Sequence, residues 1–161
     1  MSVSRRRTAH DKSLVGFTLG GVRYAIAIEE VREVVQPTPL TLLPKAPNNV
    51  AGVADHRGEV VVVVDLRHHF GLHVSSRPQR EKWILLRNSA VALVVDQVTD
   101  VMGATPEEVR PAPRVRGEAQ RGIRGVLSND DGLCFLIEVR LFEEISESLR
   151  FTLSPPPKSL R

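Results

Sequence analysis

Histidine and cysteine are the residue types of this chain that could carry metal or nucleophilic chemistry. Four histidines and an aspartate fall within one short stretch, at His56, Asp65, His68, His69 and His73. A zinc site needs three or four convergent ligands with hydrogen-bonding support behind them. His68 and His69 are direct neighbours, and no regular i, i+4 pairing with a carboxylate emerges. The spacing therefore favours solvated histidines near a short helix, and we predict no metal and no cofactor.

The single cysteine and one pair of acids are the other candidates for catalysis. Cys134 lies in the apolar run Leu133–Ile137, where a buried thiol behaves as a small hydrophobic group rather than as a nucleophile. Asp65 and Glu138 each precede a predicted helical turn, where a carboxylate accepts hydrogen bonds from free backbone N–H groups. The sequence has no G-x-S-x-G, P-loop or dinucleotide fingerprint. We therefore predict that the protein is not an enzyme.

One polar turn differs from the rest because it ends in an arginine directly before a glycine. It reads Asp55-His56-Arg57-Gly58 and precedes the apolar run Val60–Val64. The plain interpretation is a β-hairpin with a charged tip. The alternative is an arginine that binds a partner protein, because arginine makes strong directional contacts at interfaces. Spacing alone leaves both interpretations open.

The distribution of charge limits the kind of partner. The 161 residues carry 22 Lys and Arg against 19 Asp and Glu, a formal net charge of +3. Residues 1–12 and residues 150–161 each sum to +3, so the body between them carries −3. We expect residues 1–13 to form a disordered basic tail and residues 150–161 a Pro-rich basic tail. No long apolar run, signal-peptide pattern or cysteine pair is present, which predicts a soluble cytoplasmic protein.

Short apolar runs bounded by Gly, Pro and Asn predict an all-β fold. The run Val60–Val64 shows no alternation, so we expect that strand to be apolar on both faces. Helical turns are predicted at Asp65–Phe70 and Val139–Ile145, and Glu29–Val35 fits a turn or a strand equally well. The predicted strands are Leu14–Leu19, Tyr24–Ile28, Glu59–Val64, Trp83–Leu86, Ala90–Val95 and Leu133–Val139.

An internal repeat divides the chain into two similar halves. A shift of 67 places Phe17 on Ile84, and a shift of 73 places Gly52 on Gly125. A lone sheet of about five strands would leave its edges unpaired and one apolar face wet, and closure into a barrel removes both problems. We predict two packed five-stranded β-barrels, residues 14–78 and residues 79–149, joined by the segment Val74–Glu81.

Several segments resemble the CheW-like coupling proteins of bacterial chemosensory systems, over residues 14–145. They are Phe17–Val35, Leu43-Pro44, Gly52-Val53, Arg57-Gly58, Val63–Arg67, Val94–Val101, Ile123–Val126 and Leu136–Val139. The resemblance implies two SH3-like barrels and a non-catalytic adaptor. Such an adaptor joins the cytoplasmic tip of methyl-accepting chemoreceptors to the regulatory domain of a CheA-type histidine kinase, and it associates with the membrane array without inserting into the bilayer.

The resemblance also implies which residues face the partners. Arg57 matches the arginine of the family's Asn-Leu-Arg-Gly turn, and Glu33 matches a partner-facing acidic position. Val98 and Val101 are implied to line a groove between the barrels where a receptor helix docks. The remaining residues of the predicted partner surface are Val31, Val34, Asp55, His56 and Gly58, with Val31 and Val34 as exposed apolar contacts.

Three departures separate this chain from the family pattern. The turn has Asp55-His56 in place of Asn-Leu, the next strand has Val62 where the family has proline, and Glu138 stands where the family has its closing aspartate. They indicate a divergent coupling protein in an alternative, non-flagellar pathway, with other CheW-like proteins as further partners. The rival hypothesis is a nucleic-acid-binding protein with SH3-like barrels and basic tails. It requires a basic stripe across the barrels, whereas the body carries −3.

Overall fold

Two β-sheets and two helices make up the part of the chain that the computed structural model describes, which is residues 12–73, 78–112 and 122–153. The fold is all-β, as predicted. Single 3₁₀ turns occur at Ile28–Glu30, Pro78–Arg80 and Pro106–Glu108. The helices are α1 (Leu66–His69) and α2 (Val139–Leu153). The strands are β1 (Lys12–Leu19), β2 (Val22–Ala27), β3 (Val31–Val35), β4 (Val50–His56), β5 (Glu59–Asp65), β6 (Lys82–Leu86), β7 (Val91–Val95), β8 (Gln97–Ala104), β9 (Val109–Arg110), β10 (Ile123–Asn129) and β11 (Gly132–Ile137).

The six predicted strands are all present, with ends that differ by one or two residues. The ambiguous segment Glu29–Val35 divides into a 3₁₀ turn followed by β3. Strands β4, β8 and β10 were not predicted, because each combines a glycine with polar residues on an exposed face and lacks a continuous apolar run. Helix α2 continues eight residues beyond the predicted end at Ile145, to Leu153.

The two sheets have the same strand order once the internal repeat is applied. One sheet runs β3-β6-β7-β5-β4, and the other runs β8-β1-β2-β11-β10-β9. The shift of 67 converts β1, β2 and β3 into β6, β7 and β8, and the shift of 73 converts β4 and β5 into β10 and β11. The first five positions of the two sheets therefore correspond one to one, and only the two-residue strand β9 is additional.

The predicted division into one barrel at residues 14–78 and another at residues 79–149 is wrong, because each sheet takes strands from both halves. Hairpin β1–β2 pairs with β8 and β11, whereas hairpin β6–β7 pairs with β3 and β5. The two hairpins occupy equivalent positions in the repeat and have the same apolar pattern. Either hairpin could therefore complete either sheet, and the sequence does not show which one does. Of the predicted connector, residues 74–77 lie outside the described residues.

Three apolar clusters fill the fold, one on the inner face of each sheet and a larger one between the sheets. On β5, Val61 and Val63 face the interior of the five-stranded sheet, while Val62 and Val64 face the cluster between the sheets. This confirms that the strand is apolar on both faces. The cluster between the sheets contains Phe17, Tyr24, Ile26, Val62, Val64, Ile84, Leu93, Val95 and Phe142, from both sheets and from α2.

A buried arginine connects the two sheets. Arg67 of α1 is only 4% exposed, and its Nε and Nη2 donate to the two carboxylate oxygens of Asp65, at 3.0 Å each. Its Nη1 donates to Asp96 at 3.2 Å and to Glu81 at 3.3 Å. Asp96 in turn accepts the N–H of Gly20, in the β1–β2 turn, at 2.8 Å. Burial disfavours the charged guanidinium, but the three carboxylates outweigh burial and raise the pKa of Arg67 above its usual value.

Asp65 also caps helix α1, because its Oδ1 accepts the backbone N–H of Arg67 at 3.0 Å. This confirms the capping role predicted for that carboxylate.

We expect Arg67→Ala to lower the free energy of unfolding by about 3–5 kcal/mol, because it leaves the buried Asp96 and the half-buried Asp65 and Glu81 without their partner. Arg32→Ala is the matched control, since Arg32 pairs with Glu59 at 3.0 Å on the surface, where such pairs contribute about 0–1 kcal/mol. Urea unfolding followed by the fluorescence of Trp83, the single tryptophan, measures both effects. Similar losses for the two variants would contradict the structural role of Arg67.

We expect the thiol of Cys134 to be unreactive toward an aromatic disulfide reagent in the native protein and to react fully in guanidinium chloride. Cys134 lies inside the six-stranded sheet, and burial raises its pKa to about 11, so little thiolate forms at neutral pH. The chain has one cysteine, so the released chromophore reports this site alone. Stoichiometric labelling of the native protein within minutes would show that the sheet interior is open to solvent.

Candidate protein-interaction site

The β4–β5 hairpin presents Arg57 at its tip. Arg57 has a φ of +52° and Gly58 a φ of +84°, which is the left-handed pair typical of a two-residue type I′ turn. The Asp55 carboxylate accepts the Gly58 N–H at 2.8 Å and holds the turn closed. Arg57 is consequently the exposed tip, with 76% of its side chain accessible to solvent. The predicted hairpin with a charged tip is therefore present, and the binding of a partner by Arg57 stays a prediction.

Glu33 connects this hairpin to the opposite edge of the same sheet. Its Oε1 accepts from His56 Nε2 at 2.8 Å and from Arg57 Nη1 at 3.3 Å. Strands β3 and β4 are the two edges of the five-stranded sheet, so side-chain contact between them shows that the sheet curves round on itself. In the ladders, Glu33 pairs with Leu85 and His56 pairs with Glu59, which places the Glu33–His56 contact at one end of the barrel.

The hydrogen bond from His56 is the main cause of a lowered pKa at Glu33. Partial burial opposes the shift, and the positive charges of Arg57 and Arg32 assist it. Glu33 is therefore ionised at neutral pH, and an ionised carboxylate can only accept hydrogen bonds. It follows that the Nε2 atom of His56 carries a proton in this contact, in whichever charge state the imidazole is.

The other predicted partner-facing residues are divided between surface and core. Val34 is exposed on β3. Val31 is only 8% exposed and belongs to the cluster between the sheets, so it is a core residue and not the exposed contact predicted. The reason is a register shift between Val31 and Glu33, after which Val31 pairs with the buried Leu86.

Val98 and Val101 lie on β8, in the six-stranded sheet. Val98 packs against the cluster between the sheets, and Val101 is 61% exposed. The structure thus brings Glu33, Asp55, His56, Arg57 and Gly58 together at one hairpin, and it places these two valines on the other sheet.

Two of the four histidines considered for metal binding make other contacts. His56 bonds to Glu33, and His69 contacts Asn49 Nδ2 at 3.2 Å and packs edge-on against Phe70 and Phe142. Within the described residues, no three His, Cys, Asp or Glu side chains are grouped so that they could hold a metal ion. Over the same residues, no helix combines the length and the apolar character needed to cross a membrane.

Two arginines with positioning roles were not singled out from the sequence. Arg67 connects the sheets, and Arg87 donates from Nε to the Glu29 carbonyl and from Nη2 to the Val31 carbonyl, both at 2.9 Å. Arg87 thereby fixes the start of β3, the strand that carries Glu33. For Arg67, the sequence signal was the motif Asp65-Leu66-Arg67, which directly follows the wholly apolar run Val60–Val64.

Two small β-barrels, one of them with a charged hairpin exposed at its end, define the class of this protein as a double-barrel β module. The comparisons agree, because residues 13–145 match the family model of the CheW-like domain. The chain is 33% identical over 138 residues to a probable chemotaxis protein CheW of Rhizobium etli, over 83% of this chain and 89% of the relative. It is 28% identical over 141 residues to chemotaxis protein CheW of Rhizobium meliloti, over 86% and 91%.

A solved structure is also similar. The crystal structure of scaffolding protein TtCheW from Thermoanaerobacter tengcongensis matches with a TM-score of 0.72 and 26% identity, over 79% of this chain and 88% of that one. The chain belongs to the CheW-like domain family, which confirms the resemblance and the predicted SH3-like barrel fold.

We expect His56→Ala to raise the pKa of Glu33 toward its ordinary value, because the variant removes the hydrogen bond that mainly lowers it. A carbon-detected NMR titration of the Glu33 carboxyl group measures this shift. His68→Ala serves as the control, since His68 is an exposed residue of α1. An unchanged Glu33 titration in His56→Ala would contradict the contact.

Proposed function

We propose that this protein is a non-catalytic adaptor that couples methyl-accepting chemoreceptors to a CheA-type histidine kinase in a bacterial chemosensory array. The observation that carries the proposal is the family match over residues 13–145 together with the exposure of Arg57 on its hairpin. In this proposal the protein works in the cytoplasm, beneath the receptor array. Asp55 and His56, which flank the key arginine, are the basis for an alternative rather than a flagellar pathway.

The kinase would bind the hairpin surface, which we define as Val34, Asp55, Arg57, Gly58 and Val60. Arg57 supplies directional donors, and the exposed Val34 and Val60 supply apolar area on the strands beside it. Arginine surrounded by apolar contacts is the usual composition of an interface centre. Val60 lies directly opposite Asp55 in the hairpin ladder, so apolar and polar contacts are within reach of one partner surface.

The receptor tip would bind on the side of β8, where Val101 is exposed and Val98 borders the cluster between the sheets. The two sheets share one strand order, so the chain offers two similar surfaces in a fixed relation. Repeated contacts between such surfaces and a kinase domain of the same fold would generate rings or rows. Signal transfer would then depend on coupling between receptor and kinase conformations, with no chemistry in the adaptor.

We expect Arg57→Ala to weaken binding of the kinase regulatory domain by about 1–4 kcal/mol, as removal of an interface anchor does. Isothermal titration calorimetry with the purified regulatory domain measures the loss. Arg140→Ala is the matched control, because it removes the same charge from an exposed position on α2. If both variants bind as tightly as the wild type, the hairpin surface does not bind the kinase.

No observation on the structure favours the nucleic-acid alternative. A gel-shift titration still separates the two hypotheses, because phosphate binding falls steeply with salt concentration.

A further inference from the structure

His56 and Arg57 use the same oxygen of Glu33 as their acceptor. His56 Nε2 lies 2.8 Å from Oε1 and Arg57 Nη1 lies 3.3 Å from it. The two donors differ in their surroundings, since the His56 side chain is 14% exposed and that of Arg57 is 76% exposed. His56 thus lies at the end of the barrel, Arg57 lies on the hairpin surface, and Glu33 accepts a hydrogen bond from each.

We propose that His56 is a positioning residue whose protonation raises the net charge of the Glu33–His56–Arg57 group, so that a partner placing a carboxylate against Arg57 binds more tightly as the pH falls. The inference rests on the proposed function, because the partner is taken to be the kinase regulatory domain, bound through a carboxylate that matches the guanidinium of Arg57. Histidine is the side chain that ordinarily changes charge between about pH 5 and pH 8.

The electrostatic argument follows from the charges of the three groups. With His56 neutral, the negative charge of Glu33 balances the positive charge of Arg57, and the group sums to zero. With His56 protonated, the sum is +1, and the carboxylate is shared between two cations. Arg57 is then held less strongly by Glu33, and its exposed guanidinium attracts a carboxylate of the partner more strongly.

The other charged groups around His56 are acids and an arginine. Glu59 faces His56 across the hairpin ladder, and its carboxylate pairs with Arg32 at 3.0 Å. Asp55 accepts the Gly58 N–H. Side chains of these types ordinarily titrate well outside the range of histidine, and substitution of His56 isolates its own contribution.

The hairpin does not have to move for this effect. The turn is fixed by the Asp55–Gly58 hydrogen bond and by the β4–β5 ladder, so protonation changes the charge and leaves the backbone of Arg57 in place. We therefore expect a modest effect of the size that exposed charges have on one another, about two- to fivefold in Kd.

The test compares Kd for the purified kinase regulatory domain at about pH 6 and about pH 8, the two sides of the usual histidine range. His56→Gln is the informative variant, because its side-chain amide can still donate to Glu33 but cannot titrate. His68→Gln removes an exposed histidine from α1 and serves as the control. For each protein, the measured quantity is the ratio of Kd at about pH 8 to Kd at about pH 6. We expect this ratio to be about two- to fivefold larger for the wild type and for His68→Gln than for His56→Gln.

The same pH dependence in the wild type and in His56→Gln would overturn the inference. A second measurement needs no partner and no variant: the Arg57 Nε–H resonance of the free protein should shift with the same midpoint as the His56 ring. An Arg57 resonance that ignores the His56 titration would also overturn it. Failure of the wild type to bind the regulatory domain at either pH would instead count against the proposed function, while the NMR titration would still decide the role of His56.

Discussion

The buried guanidinium of Arg67 is the interaction on which the arrangement of the two sheets depends. A charge this inaccessible must be balanced locally, and the balancing carboxylates come from three places: the end of β5, the residue before β6 and the junction of β7 with β8. Asp96 extends the constraint to the β1–β2 turn through Gly20. The apolar cluster between the sheets favours association without specifying direction, and we infer that the Arg67 network fixes the orientation.

The exchange of hairpins between the two halves of the chain joins the two sheets into one unit. Because β1–β2 and β6–β7 each complete the sheet of the other half, neither half of the chain contains a full barrel. The hairpin surface on the five-stranded sheet and the β8 side of the other sheet therefore belong to one folding unit. In an adaptor, two partners bound at the two sheets would therefore be held in a fixed position relative to each other.

The sequence predicted what continuous apolar runs and the repeat can encode, such as β5 with Val60–Val64 and the two-barrel, all-β class. It could not predict the hairpin exchange, since both hairpins carry the same pattern. Strands β4 and β10 were missed because a glycine and polar residues interrupt their apolar pattern. The structure requires those glycines, since an added Cβ would lie 2.5 Å from the Thr41 carbonyl oxygen at Gly52 and 2.8 Å from the Arg110 carbonyl oxygen at Gly125. At the site, the turn around Arg57 was predictable from residue types, whereas the burial of Val31 depends on a bulge.

The central claim is that the hairpin surface of the five-stranded sheet receives the kinase. Hydrogen–deuterium exchange, measured on the protein alone and bound to the regulatory domain of a CheA-type kinase, tests it most directly. We expect binding to slow exchange at residues 31–35 and 55–60, in β3 and around the Arg57 turn. Slowed exchange confined to residues 97–104 and 123–137 of the six-stranded sheet, with none at the hairpin, would contradict the claim.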